Sequence, residues 1–365
     1  MAKGGHPVHF ANFICHVGDA ELADALEDVV IPAFLSQEKR SFRDVRYFLH
    51  QVEVTTLQLA EGPAEPVILG RLVKDMVVRS EQQFDATAGE LVKANEQLRT
   101  APSAFFVLLL KSHKLVYCHE TSGAPTLDAF KGTIGTFLSH ARGALIQRMK
   151  DLASGGNALD LSLVRKASPD AMSESETLEQ LSKGPTLKLL RSLIPDPELE
   201  VVPLGNEETL EEFIQRFKVL ELASVRLLKR NAELDNDAFF EQVRGKADKA
   251  GSDVSTITLK SKSGLIKPVV AKQLQSAISG NAEVVLSGKD ETEQRLRGNN
   301  DSFKTVAKVD AVPALPRSAA TVLFGLFRTQ IKKGLVKLAK SSTSQEQLDR
   351  VDSVVAGMSK GGADG

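Results

Sequence analysis

The stretch that most constrains the fold is a hairpin followed closely by a long helix. Residues 105–110 form a continuous apolar run, Lys111-Ser112-His113-Lys114 is a polar turn, and residues 115–119 are again mostly apolar. Two β-forming runs joined by so short a turn pair antiparallel. Pro125 and Thr126 then open a helix on which Leu127, Phe130, Ile134, Phe137, Leu138, Ala141 and Leu145 recur at helical spacing. A hairpin with an apolar face and a helix with an apolar stripe must each be covered. This segment therefore predicts a sheet-and-helix layer pair.

The flanking sequence extends that unit. Residues 9–17, 45–55 and 67–78 read as strands, rich in β-branched and aromatic side chains. Asp19 is placed to cap a helix that carries Leu22, Leu26, Val29 and Val30 and ends near Pro32. Between 151 and 183 the apolar density falls, and Ser154-Gly155-Gly156-Asn157 and Ala167-Ser168-Pro169-Asp170 supply turns. The expected division is an N-terminal α+β domain at 1–150, a linker or boundary at 151–183, and a C-terminal domain at 184–341. A Gly- and Ser-rich tail, flexible beyond a short helix at most, is expected at 342–365.

In the second domain, strands at 199–203, 224–229, 255–260, 282–287 and 303–310 alternate with helices at 207–220, 237–250, 265–279 and 318–340. Such an order is α/β-like. Ile257 and Leu259 nevertheless alternate with Thr256, Thr258 and Lys260, the pattern of a strand with one open face rather than of a fully buried parallel sheet. The expected fold class is α+β, with two mixed-sheet domains, flanking helices and α/β-like alternation in the C-terminal half.

Chemistry is unevenly distributed. All seven His, both Cys and both Tyr precede residue 141, and the chain has no Trp. From 151 onward only carboxylates, amines, guanidinia and hydroxyls are on offer, so imidazole or thiol catalysis is confined to the N-terminal part. Cys15-His16 and Cys118-His119 suggest a zinc site, but neighbours on a strand point to opposite faces, so no metal is expected there. Arg43 and His50 have the spacing of the Arg-to-His motif of HEPN ribonucleases, a helical family; here 45–55 reads as a strand. Gly288-Lys289 is followed by Asp290, so no phosphate-binding P-loop is formed. No cofactor is expected.

With 42% hydrophobic and 25% charged residues the composition is that of an ordinary globular protein. Two widely spaced Cys suit a reducing compartment, and no apolar run is long enough to span a membrane. A cytoplasmic location is expected, without a membrane partner. Charge is polarised: residues 1–100 hold 10 basic and 15 acidic residues, whereas 251–340 hold 15 basic and 7 acidic. That pattern points to an anionic partner. The candidate nucleic-acid-binding residues are Lys260, Lys262, Lys267, Lys272, Arg328, Lys332, Lys333, Lys337 and Lys340, the last five read as one basic helix.

The expected function is therefore non-catalytic binding of a macromolecule, nucleic acid or nucleoprotein, through this basic region. One alternative is a metal-dependent nuclease or phosphodiesterase using Asp196, Glu198, Glu200, Asp235, Asp237, Glu241 or Asp253 with Lys260 or Lys262. Another is a protein-interaction subunit, for example of a prokaryotic defence complex. The sequence leaves the oligomeric state open.

Overall fold

A computed structural model describes residues 5–361 apart from 61, 232, 236 and 253. In chain order the first part contains strands β1 (His6–Val17) and β2 (Ala20–Glu21), helix α1 (Ile31–Leu35), and strands β3 (Arg40–Phe42), β4 (Val45–Leu57) and β5 (Glu65–Asp85). Strands β6 (Glu90–Thr100), β7 (Ser103–Leu109) and β8 (Lys114–His119) precede helix α2 (Leu127–Ser154). Short helices α3 (Ser162–Ala167), α4 (Pro169–Ser173), α5 (Ser175–Ser182) and α6 (Leu187–Leu193) lead to β9 (Pro197–Pro203). Next come α7 (Glu207–Gln215), β10 (Val219–Leu227), β11 (Glu233–Leu234), α8 (Ala238–Lys249), β12 (Ser255–Lys260) and α9 (Lys267–Leu274). The chain closes with β13 (Ala282–Lys289), β14 (Arg295–Asn299), β15 (Val306–Val309), α10 (Pro316–Lys332), β16 (Lys340–Ser341) and α11 (Gln345–Gly361). The fold is α+β.

β1 organises the larger sheet, whose order is β15-β1-β8-β7-β5-β4-β3. One edge of β1 pairs with β8; the other pairs with β15 through His6 to His9 and with β9 through Ala11 to Val17, all antiparallel. Strand alternation then divides its side chains between two cores. Ala11, Phe13, Cys15 and Val17 join the core beneath α2, whereas Val8 and Phe10 join the core that includes Ala319, Leu323, Phe324 and Phe327 of α10. The same alternation runs through the hairpin read from the sequence: Phe106 and Leu108 face the first core, Phe105 and Val107 the second.

The segment 151–183, expected as a linker, contributes Leu163, Val164, Ala167, Met172 and Leu181 to the α2 core. Its helices are too short to show a period in sequence. The expected flexible tail likewise forms α11, with Val351 and Val355 buried in the same core. A third core, built from residues between Leu210 and Phe303, lies between helices α7 and α9 and a four-stranded antiparallel sheet of order β12-β10-β13-β14. This unit is inserted between β9 and β15, strands that share one edge of β1.

Other boundaries shift for local reasons. Pro32 lies in the first turn of α1 instead of ending a helix. The helix expected at 207–220 stops at Gln215, and Val219 and Leu220 open β10 instead. The helix expected to reach Lys340 stops at Lys332, because Gly334 takes φ 71°, and the Leu335 and Val336 N–H groups close back on the Gln330 carbonyl. Among the described residues no helix is long and apolar enough to cross a membrane.

A buried polar network joins the inserted unit to β1. Lys114, only 1% exposed, donates to Asn12 Oδ1 at 2.8 Å and to Glu233 Oε1 at 2.6 Å. Asn12 in turn donates to the Gly280 carbonyl at 3.1 Å and to Asn281 Oδ1 at 3.0 Å. Asn231 donates to the Phe13 carbonyl at 2.9 Å. Burial pushes the Lys114 pKa down while Glu233 opposes that shift. Removing one partner of such a pair leaves the other charge buried and alone. Lys114→Met is expected to cost about 3–5 kcal/mol in urea unfolding, and Lys114→Met with Glu233→Leu distinctly less. Equal losses in the single and double variants would show that the two charges are not coupled.

Candidate nucleic-acid interface

The four-stranded sheet commits one face to its core and leaves the other open. Register places Ala223 with Leu259 and Leu286, and Val225 with Ile257 and Val284, on the core side. Between these pairs Leu222, Ser224 and Arg226 point the other way, with Thr256, Thr258 and Lys260 of β12 opposite them. On the β13 side the same rows hold Glu283, Val285 and Ser287, and β14 adds Arg295, Arg297 and Asn299. One row thus crosses all four strands as Lys260-Leu222-Ser287-Arg297. At the usual strand spacing it spans roughly 15 Å.

A groove of about 540 Å³ lies at this end of the face, lined by Lys260, Lys262, Arg295 and Arg297 with Glu221, Leu222, Ser261, Val285 and Ser287. A β-bulge between Leu220 and Leu222 brings Glu221 and Leu222 together at its floor. Gly288 permits the bulge, because a Cβ there would stand 2.1 Å from the Val219 carbonyl oxygen. The other basic side chains on the strands of this sheet are neutralised: Arg226 pairs with Glu283 at 2.9 Å and Lys289 with Glu293 at 3.4 Å. Lys260, Lys262, Arg295 and Arg297 have no ion pair or side-chain hydrogen bond among the described residues. Four free cations and one carboxylate make a site suited to anions.

Of the nine residues expected from sequence, only Lys260 and Lys262 line this groove. Lys267 opens α9, and Lys272 lines a separate cleft with Lys337, which pairs with Glu207. Arg328 lies on α10 against the loop at Gly62, where a Cβ would meet its guanidinium at 2.2 Å. Lys332 ends α10, Lys333 is its exposed C-cap, and Lys340 belongs to β16, paired with Leu234. The basic helix expected through Lys340 is thus split between a helix, a turn and a strand. Arg295 and Arg297 were missed. Their signal was present: two arginines around Leu296 share one face of a strand.

The groups considered for catalysis lie elsewhere. Cys15 and Cys118 sit on adjacent strands but face different cores, and burial pushes each thiol up to about 12. Asp235 is held by Arg230 and Arg244, Glu241 by Arg230, Glu200 by Lys131, and Asp196 by Arg142. Asp237 caps α8 by accepting from the Phe239 N–H at 2.7 Å, and Glu198 stands opposite His16 on β9. Asp253 lies outside the described residues. Among those described, no group of three His, Cys, Asp or Glu is placed to hold a metal ion. His50 is on β4, a strand, as its surroundings suggested. No known family model matches the chain, and no curated protein matches it.

Three buried imidazoles make the fold sensitive to acid, against a smaller opposing contribution from Glu65, whose carboxyl burial raises to about 7. Burial, aided by Lys304 and His119, lowers His9 to about 4; burial and Lys229 lower His16 to about 4; burial, Lys114 and His16 lower His113 to about 3. Unfolded, each titrates near 6.5. Below that value the unfolded chain takes up protons that the folded chain refuses, so stability falls with pH between about 6.5 and about 4. Above about 7 these groups contribute no pH dependence. A melting temperature constant across the acid window would contradict the neutral assignment.

Proposed function

We propose that the protein binds single-stranded nucleic acid on the open face of the four-stranded sheet, with Lys260, Lys262, Arg295 and Arg297 as the phosphate contacts. The supporting observation is four unpaired cations gathered from two edge strands and the turn after β12 onto one accessible face. Width argues for single strands: a face of roughly 15 Å cannot enter a major groove of about 12 Å. The rows crossing the face contain Lys, Arg, Ser, Thr, Leu, Val, Glu and Asn and no aromatic residue. Base stacking is therefore a small part of the affinity, phosphate contact the larger part, and sequence preference weak.

The role is binding, and the compartment is cytoplasmic, a location in keeping with two buried free thiols. Of the acids that a nuclease could use, Asp196, Glu200, Asp235 and Glu241 are engaged in ion pairs and Asp237 in a helix cap, which favours binding over metal-dependent cleavage.

Fluorescence anisotropy with labelled single-stranded and duplex DNA and RNA tests this reading. The expected result is a preference for single strands and a log–log salt slope of roughly 3, from four phosphates at about 0.7 each. Replacing Lys260, Lys262, Arg295 and Arg297 together by Gln should weaken binding more than about tenfold at low salt. Replacing Lys332, Lys333 and Lys337 by Gln should change it little. The opposite ranking would move the interface to the end of α10, and metal-dependent cleavage would make the site catalytic.

A further inference from the structure

Residues 76–100 form a two-stranded ribbon in which the outer half of β5 pairs only with β6. β5 has its last partner in β7 at Val73 and its last partner in β4 at Asp75. A two-stranded ribbon is marginally stable alone, and β6 presents a free edge. The ribbon also exposes large apolar side chains: Phe84 is 60% exposed, Leu91 67% and Leu98 67%. Phe84 stands opposite Leu91, and Val78 opposite Leu98.

The order of residues along β6 is self-complementary. Residues 90–99 read Glu-Leu-Val-Lys-Ala-Asn-Glu-Gln-Leu-Arg. Laid antiparallel against itself about the point between 94 and 95, this segment sets Glu90 against Arg99, Lys93 against Glu96, and Leu91 against Leu98. In an unbroken strand that register fails, since residues 93 and 96 would face opposite sides. A bulge removes the conflict. Glu96 pairs with Ser80 and Lys93 with Gln82, so two residues of β6 stand against one of β5. Ser80 and Gln82 share a face, and Lys93 and Glu96 therefore share it too. By the same count Leu91 and Leu98 lie on one face, and Glu90 and Arg99 on the other.

We propose that β6 is a docking edge for a second copy of this chain, the two strands pairing antiparallel about a two-fold axis at residues 94 and 95. Symmetry makes each contact twice, joins two ribbons into one four-stranded sheet, and gathers Val78, Phe84, Leu91 and Leu98 of both copies on one face. Arg99 already bonds Asp75, at 3.0 and 2.9 Å. The specificity of pairing accordingly rests on Lys93 with Glu96 and on the leucines. Neither Lys93 nor Glu96 has an ion pair within the chain among the described residues, so exchanging their charges leaves the fold in place.

Sedimentation equilibrium of the full chain tests the proposal. The expected result is a dimer at micromolar concentration. Lys93→Glu alone, or Glu96→Lys alone, places like charges opposite each other twice and should weaken association at least about tenfold. The double variant Lys93→Glu with Glu96→Lys should regain it. So should an equimolar mixture of the two single variants, in which the introduced carboxylate of one chain meets the introduced amine of the other and the unchanged pair also meets. A monomeric wild-type chain would overturn the proposal. A dimer indifferent to both single substitutions, or singles whose mixture shows no recovery, would overturn it as well.

Discussion

The rest of the structure depends on β1 being hydrogen-bonded along both edges. Its second edge is completed by two short strands, β9 and β15, separated by about a hundred residues of chain. Those residues have to leave and return at the same edge, and they do so as a folded unit with its own core. The insertion cannot hang loosely, because Asn12, pointing from β1 toward it, is bound to Lys114 on one side and to Gly280 and Asn281 on the other. A buried lysine and glutamate at such a seam are costly unless both are present. The same network, through Asn12 to Gly280 and Asn281 just before β13, ties the small sheet to β1.

Function follows from what each surface has left unpaired. The larger sheet is covered on both faces, by α2 and α11 on one and α10 on the other. The small sheet is covered on one face only, and there the cations of β12 and β14 lack the carboxylate partners that neutralise Arg226 and Lys289. The ribbon of β5 and β6 is covered on neither face, and its free edge carries alternating charge. The two features are separate in the chain, and the two proposals rest on separate surfaces: the open sheet face for an anionic strand, the free edge of β6 for a second copy.

Sequence reasoning succeeded where one segment carried its own signal. The hairpin at 105–119 was legible because its strands are buried on both faces, and α8 because Asp237 caps it. It failed where the signal was distributed. Residues 151–183 read as a linker since each short helix contributes only one to three buried side chains, and the length of α11 is not legible because its stripe is little more than Val351 and Val355. β6 carries Leu91 and Leu98 seven residues apart, with a bulge between them, and so shows no strand period. The pairing of β1 with β9 and β15 is a long-range contact that no local pattern encodes. At the candidate interface Lys260 and Lys262 were found through net charge. Arg295 and Arg297 were lost with their strand, five residues long between turns.

The central claim, that the open sheet face is the binding surface, is tested most directly by photo-crosslinking the wild-type chain to a uridine-rich single-stranded RNA and mapping the attached peptides by mass spectrometry. Crosslinks are expected in β12 with the following loop to Lys262 and in β14 around Arg295 and Arg297. Crosslinks confined to residues 328–340, with none on β12 or β14, would contradict the account.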